Sequence, residues 1–192
     1  TVSSNWRKWS IRNDMYGDIS IMSELRTNRI IPRDGLVSGA SGGIIQVKQT
    51  IKKDQFTTSQ GVSSGYTDLT GLNVTITPTR SDSKILVRAI IYNSNQNAVN
   101  FFRLLRGSTW IEQPSGTSSS GANWNAHSFA YYNCDNFQDS TTIEILDAPA
   151  TTSATTYKVQ TAVTSGVCTI NKFRGTNNYY GVSTIIAMEV SG

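Results

Sequence analysis

The stretch TTIEILDAPATTSATTYKVQTAV, residues 141–163, decides the fold. Ile143 and Ile145 alternate with Glu144, which is the two-residue period of a strand. DAPATTSATT then opens with a turn and runs through Ser, Thr and Ala with no apolar stripe and no caps, so no helix is expected there. From Tyr157 strict alternation returns: Tyr157, Val159, Thr161 and Val163 on one side, Lys158, Gln160 and Ala162 on the other. The unit is strand, hydroxyl-rich connection, strand, with Tyr157, Val159 and Val163 expected in the core.

The same unit recurs outward in both directions. From Ile44 onward strand signals arrive every ten to fifteen residues, separated by turn clusters. The segments are 44–51, 66–69, 73–78, 84–92, 100–106, 126–132, 141–147, 157–163, 168–173 and 182–190. Composition agrees: hydrophobic residues make up 38% and charged residues 16%, and Ser, Thr, Asn and Gly replace the remainder. Those residues form poor helices but suit pleated surfaces and turns. About ten short strands over residues 44–192 predict an all-β Greek-key jelly-roll sandwich.

Residues 1–43 read differently. They carry Trp6, Trp9, Tyr16, Ile19 and Ile21 among dense charge, too thin a segment to bury its own aromatics. Such residues are expected to be buried by another chain. DGLVSGASGG (34–43) follows as a glycine-rich linker, so residues 1–43 form a stem or anchor and 44–192 the jelly-roll tip. The chain starts at Thr1, which fits a processed product or a piece of a longer protein.

Two strands are apolar on both faces. KILVRAIIY sets Ile85, Val87, Ala89 and Ile91 against Leu86, Arg88 and Ile90; VSTIIAMEV sets Val182, Thr184, Ile186, Met188 and Val190 against Ser183, Ile185, Ala187 and Glu189. A strand apolar on both sides is covered twice, and the economical second cover is an identical neighbour. The expected contact face is Ile185, Ala187 and Glu189.

Most chemistry is excluded. The net charge of +4 is scattered, without the basic-aromatic clusters that nucleic-acid binding needs. Cys134 and Cys168 make no disulfide framework, and with His127 as the single histidine a structural zinc site is out. No cofactor or metal is expected. No apolar run reaches membrane-spanning length, so no membrane insertion is expected. GASGG (39–43) lacks the lysine of a phosphate loop, and His127 has no nucleophile elbow beside it. The acidic residues are mostly lone ones in turns; Glu144 and Glu189 read as solvent-facing or interface charge. The chain reads as a non-enzyme.

Binding chemistry is better represented. The loops 112–125, 131–139 and 174–181 collect Trp124, Asn125, Tyr132, Asn133, Asn136, Asn177, Asn178, Tyr179 and Tyr180, and NSNQNAVN (93–100) adds a polar turn. Aromatic faces beside amides and hydroxyls suit sugar rings.

GGIIQVKQT, YTDLTGLNVTITPTRSDSKILV, RLLRGSTWI, DAPATTSATTYKVQT and STIIAMEV occur in that order, and NRIIPRDGLVSGASGGIIQV leads into them. Over about residues 28–192 this set resembles the C-terminal domain of tail fibres and related virion appendages of tailed phages of marine cyanobacteria and other marine bacteria. The resemblance implies a jelly roll similar to the tumour-necrosis-factor type, a homotrimer, a place on the virion after synthesis in the host cytoplasm, and adhesion to host surface polysaccharide or lipopolysaccharide. Two alternatives stand beside receptor binding: a purely structural head or tail appendage or adaptor, and a glycan-degrading tailspike-type enzyme.

Overall fold

The structure, a computed structural model, describes residues 43–116, 125–132, 137–173 and 178–191. The anchor residues Trp6, Trp9, Tyr16, Ile19 and Ile21 and the loop residues Trp124, Asn133, Asn136 and Asn177 lie outside the described residues.

The described chain is built of strands: β1 (Ile44–Lys52), β2 (Phe56–Thr58), β3 (Thr67–Ile76), β4 (Lys84–Asn95), β5 (Ala98–Arg106), β6 (Thr109–Trp110), β7 (Ser128–Tyr132), β8 (Phe137–Asp147), β9 (Thr155–Val163), β10 (Cys168–Ile170) and β11 (Ser183–Val190). They form two antiparallel sheets. The first runs β1-β11-β4, with β8 on the far side of β4 and the short β10 and β2 continuing beyond the end of β11. The second runs β3-β9-β5, with β6 and β7 sharing the last edge. The chain crosses between sheets at β2–β3, β3–β4, β4–β5, β7–β8, β8–β9 and β9–β10, so apart from the β5–β6 hairpin the paired strands are not consecutive. This is the jelly-roll arrangement expected from the strand count.

The alternations decide what faces inward. Ile85, Val87, Ala89 and Ile91 of β4 meet Phe102 and Leu104 of β5, Tyr157 and Val159 of β9, and Ile185 and Ala187 of β11 in one buried cluster. Each large apolar side chain so buried contributes roughly 1.5–3 kcal/mol. The segments 66–69 and 73–78 prove to be one strand, β3. Leu69 and Leu72 are both buried although three apart, which strict alternation forbids. The register shift between Asp68 and Asn73, which face Gln160 and Lys158 of β9, absorbs the extra residues of β3, with Gly71 at φ 82 taking the left-handed turn.

The stretch 93–100 is no polar surface turn. β4 runs on to Asn95 and β5 begins at Ala98, leaving Gln96 and Asn97 as a tight corner between sheets. Asn93, Asn95 and Asn100 are buried and bond to one another: Asn100 Nδ2 donates to Asn93 Oδ1 at 2.9 Å and Asn95 Nδ2 to Asn100 Oδ1 at 2.7 Å. Asn93 Nδ2 also donates to Thr141 Oγ1 at 2.9 Å, tying the corner to β8. Paired amides are tolerated in a core where unpaired ones would be costly.

Candidate contact surfaces

The outer face of the β1-β11-β4-β8 sheet is read directly from the register. Val47, Met188, Leu86 and Leu146 stand side by side across all four strands. The next row is Gln49, Ile186, Arg88 and Glu144, and the next Ile51, Thr184, Ile90 and Thr142. Val47 is 53% exposed and Leu146 51%, so an apolar row crosses the sheet left uncovered by the described residues. Arg88 Nε bonds Glu144, neutralising the charge in the middle row.

This placement corrects the expected contact face. Ile185, Ala187 and Glu189 point into the sandwich and have no exposed surface, so they touch no second chain. The more apolar side of β11, with Ile186, Met188 and Val190, faces outward instead. Glu189 is neither solvent-facing nor interface charge. Its carboxylate accepts from Gln46 Nε2 at 2.6 Å, the Thr79 backbone N–H at 2.8 Å and the Thr79 hydroxyl at 2.7 Å. Burial raises its carboxyl, but the bonds from Gln46 and Thr79 outweigh that and hold it below the usual carboxylate value.

The opposite sheet presents an aromatic outer face. Arg103 of β5 places its guanidinium carbon 4.1 Å from the Tyr66 ring centre and 5.0 Å from that of Trp110. Its Nε and Nη2 donate to Gln160 Oε1 at 2.8 and 2.6 Å. Gln160 passes the chain on to Asp68 Oδ1 at 2.6 Å, and Lys158 Nζ bonds Asp68 Oδ2 at 2.7 Å. Burial pushes the Tyr66 phenol up to about 12, against the pull of Arg103. Phe129 and Tyr131 of β7 lie on the same face, exposed, at the sheet edge.

His127 is a satisfied histidine. Its Nδ1 accepts the Leu104 backbone N–H at 2.8 Å, so in the neutral ring the proton sits on Nε2, 2.7 Å from the Ile111 carbonyl it donates to. The Trp110 indole nitrogen lies 3.0 Å from that same Nε2, but a protonated nitrogen offers it no lone pair. The two rings meet edge to face at 5.7 Å and 81°, which fixes the Trp110 ring. Burial, reinforced by Arg103, lowers the His127 pKa below 6.5 despite its bonds to the Ile111 and Glu112 carbonyls.

Beyond Trp110, where the β5–β6 hairpin meets the end of β8, lies a groove of about 320 Å³ bordered by Arg106, Thr109, Trp110, Glu112 and Asp147. Asp147 is buried and accepts from Arg106 Nη1 at 2.7 Å on both oxygens and from the buried Tyr157 hydroxyl at 2.6 Å. Burial, with the Asp147 carboxylate beside it, drives the Tyr157 phenol far above its ordinary value.

The other predicted contacts separate. Tyr132 is buried, and its hydroxyl donates to Asn93 Oδ1 at 2.6 Å and lies 3.0 Å from the Asn93 carbonyl, so it is an internal strut and not a contact residue. Asn125 is half-buried and uses its amide to hold the loop at the Pro114 and Gly116 carbonyls, 3.4 and 3.2 Å away. Asn178, Tyr179 and Tyr180 are exposed together on one loop. Its base is clasped by the Lys172–Tyr180 bridge, the bond from Phe173 N to the Tyr179 carbonyl and the bond from Gly181 N to the Asn171 carbonyl. Cys168 is a free thiol buried in the core, pushed up to about 12 by burial. Among the described residues no three His, Cys, Asp or Glu side chains converge as metal ligands, and no helix is long and apolar enough to cross a membrane.

No family model and no curated protein matches the chain. Among solved structures, the tripod from the baseplate of bacteriophage Tuc2009 aligns over 100% of this chain and 84% of its own, at 14% identity and a TM-score of 0.32. A structure of infectious bursal disease virus, Gx strain, aligns over 83% of this chain and 42% of its own, at 12% identity and a TM-score of 0.36. Both scores fall below 0.5, and the jelly roll rests on the strand order itself.

Proposed function

We propose that this chain is a virion appendage protein of a tailed phage, whose jelly roll is the homotrimeric, non-enzymatic tip that adheres to a glycan of the host surface. The reading joins the ordered sequence blocks of residues 28–192 to one structural observation. The apolar row Val47, Met188, Leu86 and Leu146 crosses a whole sheet face. A row of that length left to water marks an association surface, and a face shared by identical copies closes on itself by rotation. Three copies set side by side present three copies of every surface loop to one cell. Weak single contacts then suffice, because linked sites raise the apparent affinity by about 10²–10⁴. Residues 1–43 join the tip to other virion proteins.

Sedimentation of the purified protein tests the assembly: the expected mass is three times that of the 21.0 kDa chain. Fluorescently labelled protein on marine cyanobacterial cells tests adhesion. A monomer in solution removes the trimer; a trimer that stains no cell and releases no oligosaccharide from their polysaccharide leaves the structural-appendage alternative.

A further inference from the structure

We infer that Phe129 and Tyr131, side by side on the outward side of β7, form a stacking platform for the host glycan, and that the sugars it takes are pyranoses with every hydroxyl equatorial. The inference rests on the adhesion reading above and names where, and for which class of glycan, that adhesion is made.

Alternation fixes the pair. Ala130 and Tyr132 of β7 are buried, and Phe129 and Tyr131, alternating with them, turn outward with 67% and 65% of their surface exposed. Two residues apart on one strand, they are anchored about 7 Å from each other. Opposite them on β5 stand Phe101 and Val99. Those two are already engaged, packing with Val62, Ala162, Tyr66 and Ala126 into a small cluster of their own. On that side the open aromatic surface ends at the two rings.

Size decides what kind of partner fits. Two aromatic side chains exposed to this degree offer roughly 200–330 Å² of surface. Each partner of a stable protein complex gives up about 800 Å². The pair is too small for a protein and large enough for one or two sugar rings. It also lies on the sheet opposite the apolar row, so copies that meet at the row leave it open, once in every copy. Weak stacking repeated in that way is what adhesion through valency needs.

The residue types select the sugar. An aromatic face is electron-rich and attracts the C–H face of a pyranose. The Tyr131 phenol donates to or accepts from a hydroxyl at the rim, while Phe129 offers no polar atom. Neither residue is charged, so the platform reads the apolar face of a ring and not an acid group. Two residues along β5 from Phe101, the Arg103 guanidinium is already engaged by the Tyr66 and Trp110 rings and by Gln160. A chain of all-equatorial sugars joined through equatorial bonds is a flat ribbon that turns alternate faces to its support. Both faces of each ring must then be C–H, which holds for glucose and N-acetylglucosamine. Mannose fails, because its axial hydroxyl puts a polar group on one face.

The test uses the full chain with isotopically labelled aromatic rings, titrated with cellobiose, chitobiose and mannobiose and followed by ring C–H NMR shifts. The expected result is that cellobiose or chitobiose moves the Phe129 and Tyr131 signals together, with mannobiose weaker by about fivefold or more. Phe129→Ser and Tyr131→Ser alter exposed side chains, and the amide spectrum checks that each variant is folded. Each should weaken the sugar about fivefold or more, whereas Phe129→Tyr, which keeps the ring, binds like wild type. Silence at both rings with cellobiose and chitobiose overturns the platform, as do mannobiose binding as tightly and serine variants that bind unchanged. On cells, a folded Phe129→Ser/Tyr131→Ser protein that stains like wild type also removes the platform but leaves adhesion standing. Staining that protease treatment of the cells abolishes and periodate spares makes the partner a protein, and overturns the platform too. If wild type stains no cell, the adhesion reading falls by itself, and the sugar titration still judges the platform.

Discussion

At Gly181 the chain returning from the exposed Tyr179 and Tyr180 passes flat against the Tyr92 ring. A Cβ there would stand 1.8 Å from Tyr92 Cδ1 and 2.3 Å from Cε1, so Gly181→Ala forces the ring or the loop base to move. Overpacking of this kind costs about 1–3 kcal/mol, and thermal unfolding of the variant should show a lower midpoint with a disturbed Tyr179–Tyr180 loop. An unchanged midpoint would mean the close approach is not kept in solution. His127 supplies a residue-scale pH dependence. Its folded pKa is lowered chiefly by burial, and protonating Nδ1 would set a donor against the Leu104 N–H. The unfolded chain binds that proton more readily, so this contribution is complete above pH 6.5 and is lost as pH falls from there through the lowered folded value. Urea midpoints at about pH 7.5 and 5.5 should therefore differ in wild type and differ less in His127→Gln. An equal pH step in both proteins would assign it to other groups.

At the scale of elements, period two carried most of the reading. The strand 157–163 is legible because Tyr157, Val159, Thr161 and Val163 alternate with Lys158, Gln160 and Ala162; in 84–92 both faces are apolar, and only Arg88 in the middle of one of them marks Ile85, Val87, Ala89 and Ile91 as the inward set. Alternation does not say which of two apolar faces turns inward, and β11 shows the consequence. The face with Glu189 looked external because an isolated carboxylate in a core is expensive. It is internal because Gln46 of β1 and Thr79 of the β3–β4 connection converge on that carboxylate from other parts of the chain. No local pattern announces such partners. The groove escapes a sequence reading for the same reason: Asp147, at the end of β8, comes from far along the chain to bond Arg106 of the β5–β6 hairpin. Tyr132 was misread as a surface aromatic because its partner, Asn93, lies on another strand. Glu189→Gln tests the element-level account. It keeps the shape but turns one acceptor oxygen into a donor facing donors, so stability should fall by about 1–3 kcal/mol. Its carboxyl is also held low, so this stabilisation is present above pH 4.5 and is lost as pH falls through the lowered folded value. The variant should lose that part of the acid sensitivity, and a wild-type acid profile in Glu189→Gln would show that Glu189 is not what titrates.

For the whole molecule, the two sheets have different outer faces and therefore different expected partners. The β3-β9-β5 face is laced with charge and amides, through Arg103, Gln160, Asp68 and Lys158, and suits water. The β1-β11-β4-β8 face bears the apolar row, with the Arg88–Glu144 ion pair already closed within the chain. Both faces leave large side chains to water, Phe129 and Tyr131 at the edge of the first and the row from Val47 to Leu146 on the second, but the row alone crosses its sheet from edge to edge. Leu146→Lys sets an ammonium at the β8 end of the apolar row, where leaving a charge without a partner under a second copy costs several kcal/mol, while its side chain in the monomer simply enters water. The expected outcome is a folded monomer by sedimentation, with thermal stability measured on the monomer close to that of wild-type monomer at high dilution. Adhesion to cells should drop by about 10²–10⁴ through lost valency. A Leu146→Lys protein that remains trimeric places the association surface elsewhere; one that becomes monomeric and adheres as well as wild type shows that multivalency is not how the tip holds its host.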